Sequence, residues 1–340
     1  MATPVTDVGQ AVAESEVSLR QDAPLVYVVK KGDTLWAISG HFLDNPWQWP
    51  ELWYANGQIK NPHLIYPGDR LRLVWVNGKP RLTDEDFGRI ERMSPQIRAT
   101  AEEQPIPAIP IDALRDFLQH PRVLTSEQLE KAPYILEFTE GHIAIGQNDG
   151  FFARGLPKNA QTDWEVAQPG SRFIDPDNGK LLGYEAIPVG QARLLEQGET
   201  SKLVLDTSER EARIGDRLLP LDQDNFDASF FPHPPTRPVA GRIISVFDGL
   251  IDIPIYSVVV LNRGSKAGLD PGTVLTILQA GRSAKDPYGD SRKALPDQAA
   301  GDLMVFKTTP ELSYALVMRA DRPTRVLDRF EQPSAAKHRP

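Results

Sequence analysis

The chain has 340 residues, of which 40% are hydrophobic and 25% charged, an ordinary balance for a globular protein of two or three domains. Its net charge of −8 argues against nucleic acid as the main partner, because phosphate binding needs clustered Lys and Arg. The absence of cysteine excludes disulfides and thiolate sites. No apolar run reaches the roughly 18 residues of a membrane-spanning helix.

The first 24 residues are small, polar and aperiodic, which predicts a disordered tail. They contain neither the basic stretch nor the apolar core of a signal peptide. The sequence therefore indicates either a cytoplasmic protein or a form from which a signal peptide was removed.

Residues 25–76 predict a small module with the order strand, helix, helix, strand. YVVKK (27–31) has the β-branched and aromatic residues of a strand, and Gly32 permits a turn after it. Asp33 is the expected N-cap of a helix that buries Leu35, Ile38 and Phe42 on one face. PELWYAN (50–56) predicts the second helix, with Pro50 at its first position and with Leu52 and Trp53 pointing inward.

The closing strand of this module is IYPGDRLRLVW (65–75), which begins with a type II turn centred on Pro67 and Gly68. The alternation of Leu71, Leu73 and Trp75 predicts one buried face. Because so small a module needs large core residues, we expect Trp36, Trp53 and Trp75 to be core. Trp47 and Trp49, which lie between prolines, are candidates for an exposed contact with sugar or protein.

Residues 77–130 predict a helical connector, with helices in TDEDFGRIERMS and PIDALRDFLQHP separated by the Pro-rich linker QPIPAIP (104–110). Short alternating runs between Gly, Pro, Asn and Asp then predict an all-β region. FPHPPTRPV (231–239) divides it into β domains at 131–235 and 236–340. The expected fold class is α+β, with a βααβ module followed by two small mainly-β domains of barrel or sandwich type.

A weak internal repeat runs through the β region, in which a Gly, an alternating strand, a second strand and an Asp-containing turn recur. The copies are residues 190–218, 241–275 and 301–330. Any small β-barrel repeats strand and turn, so a true duplication and a general barrel pattern both remain open.

The sequence contains no recognisable catalytic set, so we expect no enzyme activity and no cofactor. It lacks the nucleophile elbow, the Walker loop and the dinucleotide fingerprint, and its six histidines have no metal spacing. DPDNG (175–179) lacks a full set of calcium ligands and is read as a hairpin turn. No metal site is predicted.

The motifs YVVKKGDTLWAIS and NPHLIYPGDRLRL, in this order, resemble the LysM family of small βααβ domains that bind N-acetylglucosamine-containing polymers. The resemblance implies a shallow glycan groove between two loops. Carried over, these are Gly32, Asp33, Thr34 and Leu35 after the first strand and Asn61, Pro62, His63, Leu64 and Ile65 before the second. The segment FLDNPWQWPELW is longer and richer in Trp than in a minimal module, which leaves open whether the groove is accessible.

Over most of residues 25–330, the chain also resembles the LysM proteins associated with the type IV pilus secretin (the TsaP type). Its C-terminal part resembles the β domain of flagellar assembly proteins of the FlgT type. The resemblance implies a non-enzymatic periplasmic anchor that binds peptidoglycan and, in multiple copies, an outer-membrane secretin ring. The alternatives are a wall-binding module of another envelope assembly, such as a flagellar ring or a hydrolase regulator, and a murein hydrolase.

Overall fold

The computed structural model describes residues 17–53, 65–84, 106–110, 114, 123–221, 231–247, 252–281, 283–286, 288 and 292–333. The chain forms two compact units. The first comprises residues 1–109, 230–234 and 333–340, and the second comprises residues 110–229 and 235–332. The described residues are predominantly β, so the expected α+β class holds only in part. Among them, no helix is long and apolar enough to cross a membrane.

The first unit contains the expected strand–helix–helix–strand order within its described residues. Leu35, Ile38 and Phe42 are fully buried on one face of the first helix, and Leu52 is buried on the second. The elements are β1 (Val26–Val28), α1 (Leu35–Phe42), a 3₁₀ turn (Pro46–Gln48), α2 (Trp49–Trp53), β2 (Arg70–Val76) and β3 (Lys79–Asp84).

Strand β3 is a feature that the sequence reading missed, since a helix was expected to begin at Thr83. The strand pairs antiparallel with β2, which makes a three-stranded sheet in the order β1-β2-β3. Asn77 and Gly78 connect the two strands with φ angles of 52° and 77°. An Asn-Gly pair with two positive φ angles is the preferred two-residue hairpin turn, so this dipeptide was the available signal.

The predicted helices of residues 83–94 and 110–121 lie almost entirely outside the described residues. The described part of this region contains strand β4 (Val123–Leu124) and helix α3 (Ser126–Lys131). Thr125 and Gln128 form a capping box at the start of α3, in which each side chain accepts from the backbone N–H of the other residue.

The next six strands close into a ring in the order β5-β6-β9-β8-β7-β10, because β8 pairs with both β7 and β9 and β10 pairs with β5. Strand β4 adds to the part of β8 that extends beyond this ring. The strands are β5 (Tyr134–Phe138), β6 (Gly150–Arg154), β7 (Asp163–Ile174), β8 (Leu181–Glu196), β9 (Thr200–Ser208) and β10 (Arg217–Pro220).

The C-terminal strands form a second closed barrel in the order β11-β12-β17-β16-β13-β18, and β14 and β15 form a separate hairpin. The strands are β11 (Ala240–Val246), β12 (Val258–Leu261), β13 (Val274–Gln279), β14 (Ser283–Lys285), β15 (Arg292–Ala294), β16 (Gln298–Thr308), β17 (Ser313–Ala320) and β18 (Arg329–Glu331).

The two barrels share one topology, which favours duplication over a general barrel pattern. When the six barrel strands are numbered in chain order within each barrel, each strand has the same two neighbours in both rings. The turn before the last strand is also the same, since Asp216 and Asp328 each accept at 2.8 Å from the N–H three residues earlier. The repeat copies at residues 190–218 and 301–330 correspond to the last three strands of each barrel, whereas the copy at 241–275 runs from the first strand of the second barrel into its third.

Barrel closure changes how these domains can meet a partner. Strand addition docks an extended peptide onto an exposed edge of a sheet. In both rings, however, every strand pairs on its two sides, and closure removes the edge that strand addition requires.

The turn between β7 and β8, which contains DPDNG, joins the two barrels. Asp175 is buried and accepts from Asn262 Nδ2 at 2.7 Å and from Arg263 Nη1 at 3.2 Å. Asp177 accepts from Arg242 Nε at 2.7 Å. The turn predicted from the sequence is therefore also a charged clamp on the second barrel.

We expect this clamp to weaken in acid. Burial alone would raise the pKa of Asp175, but the hydrogen bonds from the Asp177 N–H and Asn262, with the charge of Arg263, hold it below its usual value. A lowered pKa in the folded state gives stability that is present above the unfolded pKa of about 3.9 and is lost as pH falls through the folded pKa. The melting temperature should therefore fall more between pH 6 and pH 3 for the parent than for Asp175→Asn.

Comparing the parent with Asp175→Asn removes the pH effects of titrating groups that both proteins contain. Burial raises the pKa of Asp216, Asp302 and Asp328, which opposes the trend equally in both. Parallel curves for the parent and Asp175→Asn would contradict a stabilising role for the Asp175 carboxylate.

Candidate glycan-binding groove

The loop after β1 is held by Asp33, although not in the role expected for it. The Asp33 carboxylate accepts from the Lys30 N–H at 2.8 Å and from the Tyr27 hydroxyl at 3.0 Å. Gly32 lies within this turn at a φ of 91°, which a glycine adopts without strain. Burial and the bond to Asp33 raise the pKa of Tyr27 to about 12, so the hydroxyl remains a donor at physiological pH.

The N-cap of α1 is Thr34 rather than Asp33. Thr34 Oγ1 accepts from the Ala37 N–H at 3.1 Å, and the Thr34 carbonyl accepts from the Ile38 N–H at 3.0 Å. The first N–H groups of a helix have no partner within it. The N–H groups of Leu35 and Trp36 therefore point out of the helix start and need acceptors from elsewhere.

The second loop is described only at its end. Asn61, Pro62, His63 and Leu64 lie outside the described residues, so their assignment to the groove stays a prediction. Ile65 is described and buried. The following turn is as expected, since the Asp69 N–H bonds to the Tyr66 carbonyl at 3.1 Å and Gly68 has a φ of 101°.

A segment of residues 106–109, which we call the strap, connects the two loops. The Ile106 N–H donates to the Ile65 carbonyl at 2.8 Å. The Pro107 carbonyl accepts from the Leu35 N–H at 3.0 Å, and the Ala108 carbonyl accepts from the Trp36 N–H at 3.2 Å. The strap therefore satisfies both unpaired donors at the start of α1 and one acceptor of the opposite loop.

The strap corrects the reading of QPIPAIP as a free linker. Ile106, Ala108 and Ile109 are all buried, and they belong to the first unit. The same finding answers whether the groove is accessible: residues 106–108 already bond to the Leu35 and Trp36 N–H groups and to the Ile65 carbonyl. Alternating prolines and isoleucines were the only sequence signal, and that pattern is shared by linkers.

The tryptophans divide differently from the sequence expectation. Trp36 and Trp53 are buried as expected, but Trp75 is 57% exposed. Trp49, a candidate for an exposed contact, is fully buried, and Phe231 lies with its ring centroid 6.0 Å away. Trp47 is partly exposed and stays a candidate contact. Trp75 pairs with Pro80 in the hairpin that the sequence reading missed, at the end of β2 away from the core.

Within the described residues, no group of three or more His, Asp or Glu side chains is placed to hold a metal ion. The groove instead contains backbone N–H donors on one side and a carbonyl acceptor on the other, all bonded to the strap. This arrangement suits a neutral amide-bearing ligand better than an ion.

Comparison with known proteins identifies the class of this module. Residues 27–74 match the LysM domain family. The uncharacterized protein YqbP of Bacillus subtilis (strain 168) is 36% identical over 63 residues, covering 16% of this chain and 29% of that protein. The chain thus spans less than a third of the length of this relative. A LysM domain is present at residues 27–74, and such a domain suggests binding to peptidoglycan or a related glycan.

Proposed function

We propose that this protein is a non-enzymatic anchor that binds peptidoglycan glycan strands through its LysM groove. One observation supports it above others: the Leu35 and Trp36 N–H groups and the Ile65 carbonyl all bond to one short segment, residues 106–108. An N-acetyl group carries one amide carbonyl and one amide N–H. An N-acetylated sugar thus has both an acceptor suited to the start of α1 and a donor suited to the Ile65 carbonyl.

We further propose that the protein acts in the periplasm and attaches to the secretin ring of the type IV pilus machine. The order of a LysM domain followed by two β domains supports this role, as does the general occurrence of LysM domains in extracytoplasmic proteins. A single shallow groove binds weakly, whereas several copies around a ring gain from effective concentration. Service in a flagellar ring or hydrolase complex is the alternative.

The wall-binding role is tested by co-sedimentation of the full chain with purified peptidoglycan sacculi. Thr34→Arg places a long charged side chain at the groove and should lower the bound fraction at least about 5-fold. Thr34→Ala is the matched control, because it removes the same N-cap, at a cost of about 1 kcal/mol, without adding bulk. Equal sedimentation of the parent, Thr34→Arg and Thr34→Ala would contradict glycan binding at this groove.

The same chain, carrying an affinity tag, identifies the assembly when recovered from envelope extracts. Recovery of the pilus secretin supports the anchor. Recovery of a different envelope complex without the secretin would contradict the pilus anchor and support a role in a flagellar ring or hydrolase complex.

A further inference from the structure

The strap presents to the LysM groove the same chemical groups that an N-acetylated sugar presents. Its Ile106 N–H is an amide donor, and its Pro107 carbonyl is an amide acceptor. The Ile106 N–H bonds to one loop and the Pro107 carbonyl bonds to the other, so the strap holds one amide donor and one amide acceptor between the two loops. A glycan that used the Leu35 N–H and the Ile65 carbonyl would need the positions that the strap already holds.

We propose that the strap is a built-in competitor that closes the glycan groove, and that glycan binds only when residues 106–109 leave it. This inference rests on the proposed glycan-binding function and adds its regulation. The strap is followed directly in the chain by the second unit, since Ile109 ends this part of the first unit and Pro110 begins the second.

The strap is held by a few backbone hydrogen bonds together with the burial of Ile106, Ala108 and Ile109. Pro107 has no N–H, and Pro105 and Pro110 flank the segment, so it cannot continue as a fully bonded strand. Three backbone hydrogen bonds connect it to the two loops, each of which contributes about 0.5–1.5 kcal/mol net. Prolines also favour an extended chain before docking, which reduces the entropy lost on binding.

Competition of this kind lowers the apparent affinity by the fraction of molecules whose groove is open. The three hydrogen bonds and the buried Ile106 and Ile109 favour the closed groove, so the strap should weaken glycan binding by more than about 10-fold. Opening would follow from anything that draws residues 106–109 away, and many copies held on one ring would then engage the wall together.

The test measures binding of the full chain to chitohexaose and to sacculi, with Ile106→Asp as the variant that releases the strap. Ile106 is buried, so a charge there should undock the segment and raise the affinity about 10-fold or more. Ile143→Asp is the matched control, because Ile143 is 96% exposed and the same change there should leave binding unchanged.

The outcomes separate this inference from the function on which it rests. Tighter binding by Ile106→Asp alone supports the strap as a competitor. Equal binding by the parent and Ile106→Asp overturns the competition and leaves glycan binding intact. Weaker binding by Ile106→Asp also overturns it, because the segment would then be part of the site. Absence of binding by every protein overturns the proposed function itself.

A second measurement needs no variant and so does not depend on how Ile106→Asp folds. Amide hydrogen exchange of the parent should show slow exchange at Ile106, Leu35 and Trp36 without ligand. Saturating chitohexaose should accelerate exchange at Ile106 and leave Leu35 and Trp36 protected, because sugar replaces the strap carbonyls. Continued protection of Ile106 while chitohexaose is bound would overturn the proposal.

Discussion

Trp49→Ala is expected to unfold the LysM unit while the barrels remain folded. Trp49 is fully buried in a unit that has few core residues, and truncating a buried tryptophan costs about 3–5 kcal/mol. A domain of this size has little stability in excess of that. Thermal unfolding followed by tryptophan fluorescence should show the loss of one transition, and sacculus binding should disappear with it.

Trp75→Ala is the matched control for that experiment. The same side chain is removed from the same sheet-and-helix unit, but Trp75 is largely exposed, so the free energy of unfolding should fall by less than about 1 kcal/mol. If Trp75→Ala destabilised the unit as much as Trp49→Ala, the assignment of core and surface in this domain would be wrong.

Gly190→Ala and Gly301→Ala should each destabilise the barrel that contains the residue. A Cβ on Gly190 would lie 1.9 Å from the Thr207 carbonyl oxygen, and one on Gly301 would lie 2.0 Å from that of Arg319. Backbone oxygens in paired strands cannot withdraw as a flexible side chain can. We expect each change to cost at least about 3 kcal/mol, as overpacking against rigid structure does.

Chemical denaturation of the single and double variants checks this expectation. Gly146→Ala is the control, because a Cβ there meets nothing within 4 Å. Similar losses at Gly190 and Gly301 would agree with the equivalence of the two sites in a duplicated barrel. A loss at one site and none at the other would contradict that equivalence.

The groove residues were predictable only in part, for an identifiable reason. The motif around Gly32–Leu35 specifies a turn and a helix start through local rules of glycine conformation and capping. Local rules did not distinguish Asp33 from Thr34 as the cap, since both side chains can accept from the first helical turn. The residues that occupy the groove lie about seventy positions later, and no local rule connects them to it.

The tryptophans show the same limit from another direction. Trp75 was expected in the core from its place in an alternating strand and Trp49 at the surface from its place between prolines, yet Trp49 is buried and Trp75 is exposed. Phe231, which is distant in sequence, lies with its ring centroid 6.0 Å from that of Trp49, whereas Trp75 lies at the hairpin end of β2. The burial of a side chain depends on which distant residues pack against it, and alternation along one strand does not predict those contacts.

The sequence by itself determined the LysM domain, the turn at Pro67 and Gly68, the β-rich C-terminal region and the recurrence within it. Each of these follows from short-range patterns of turn residues and hydrophobic periodicity. The tertiary structure alone decided that the barrels close, that the Asp175 turn clamps them together and that Ile106, Pro107 and Ala108 fill the groove. Those features depend on pairings between distant residues: backbone hydrogen bonds in the barrels and the groove, and side-chain bonds from Asp175 in the clamp.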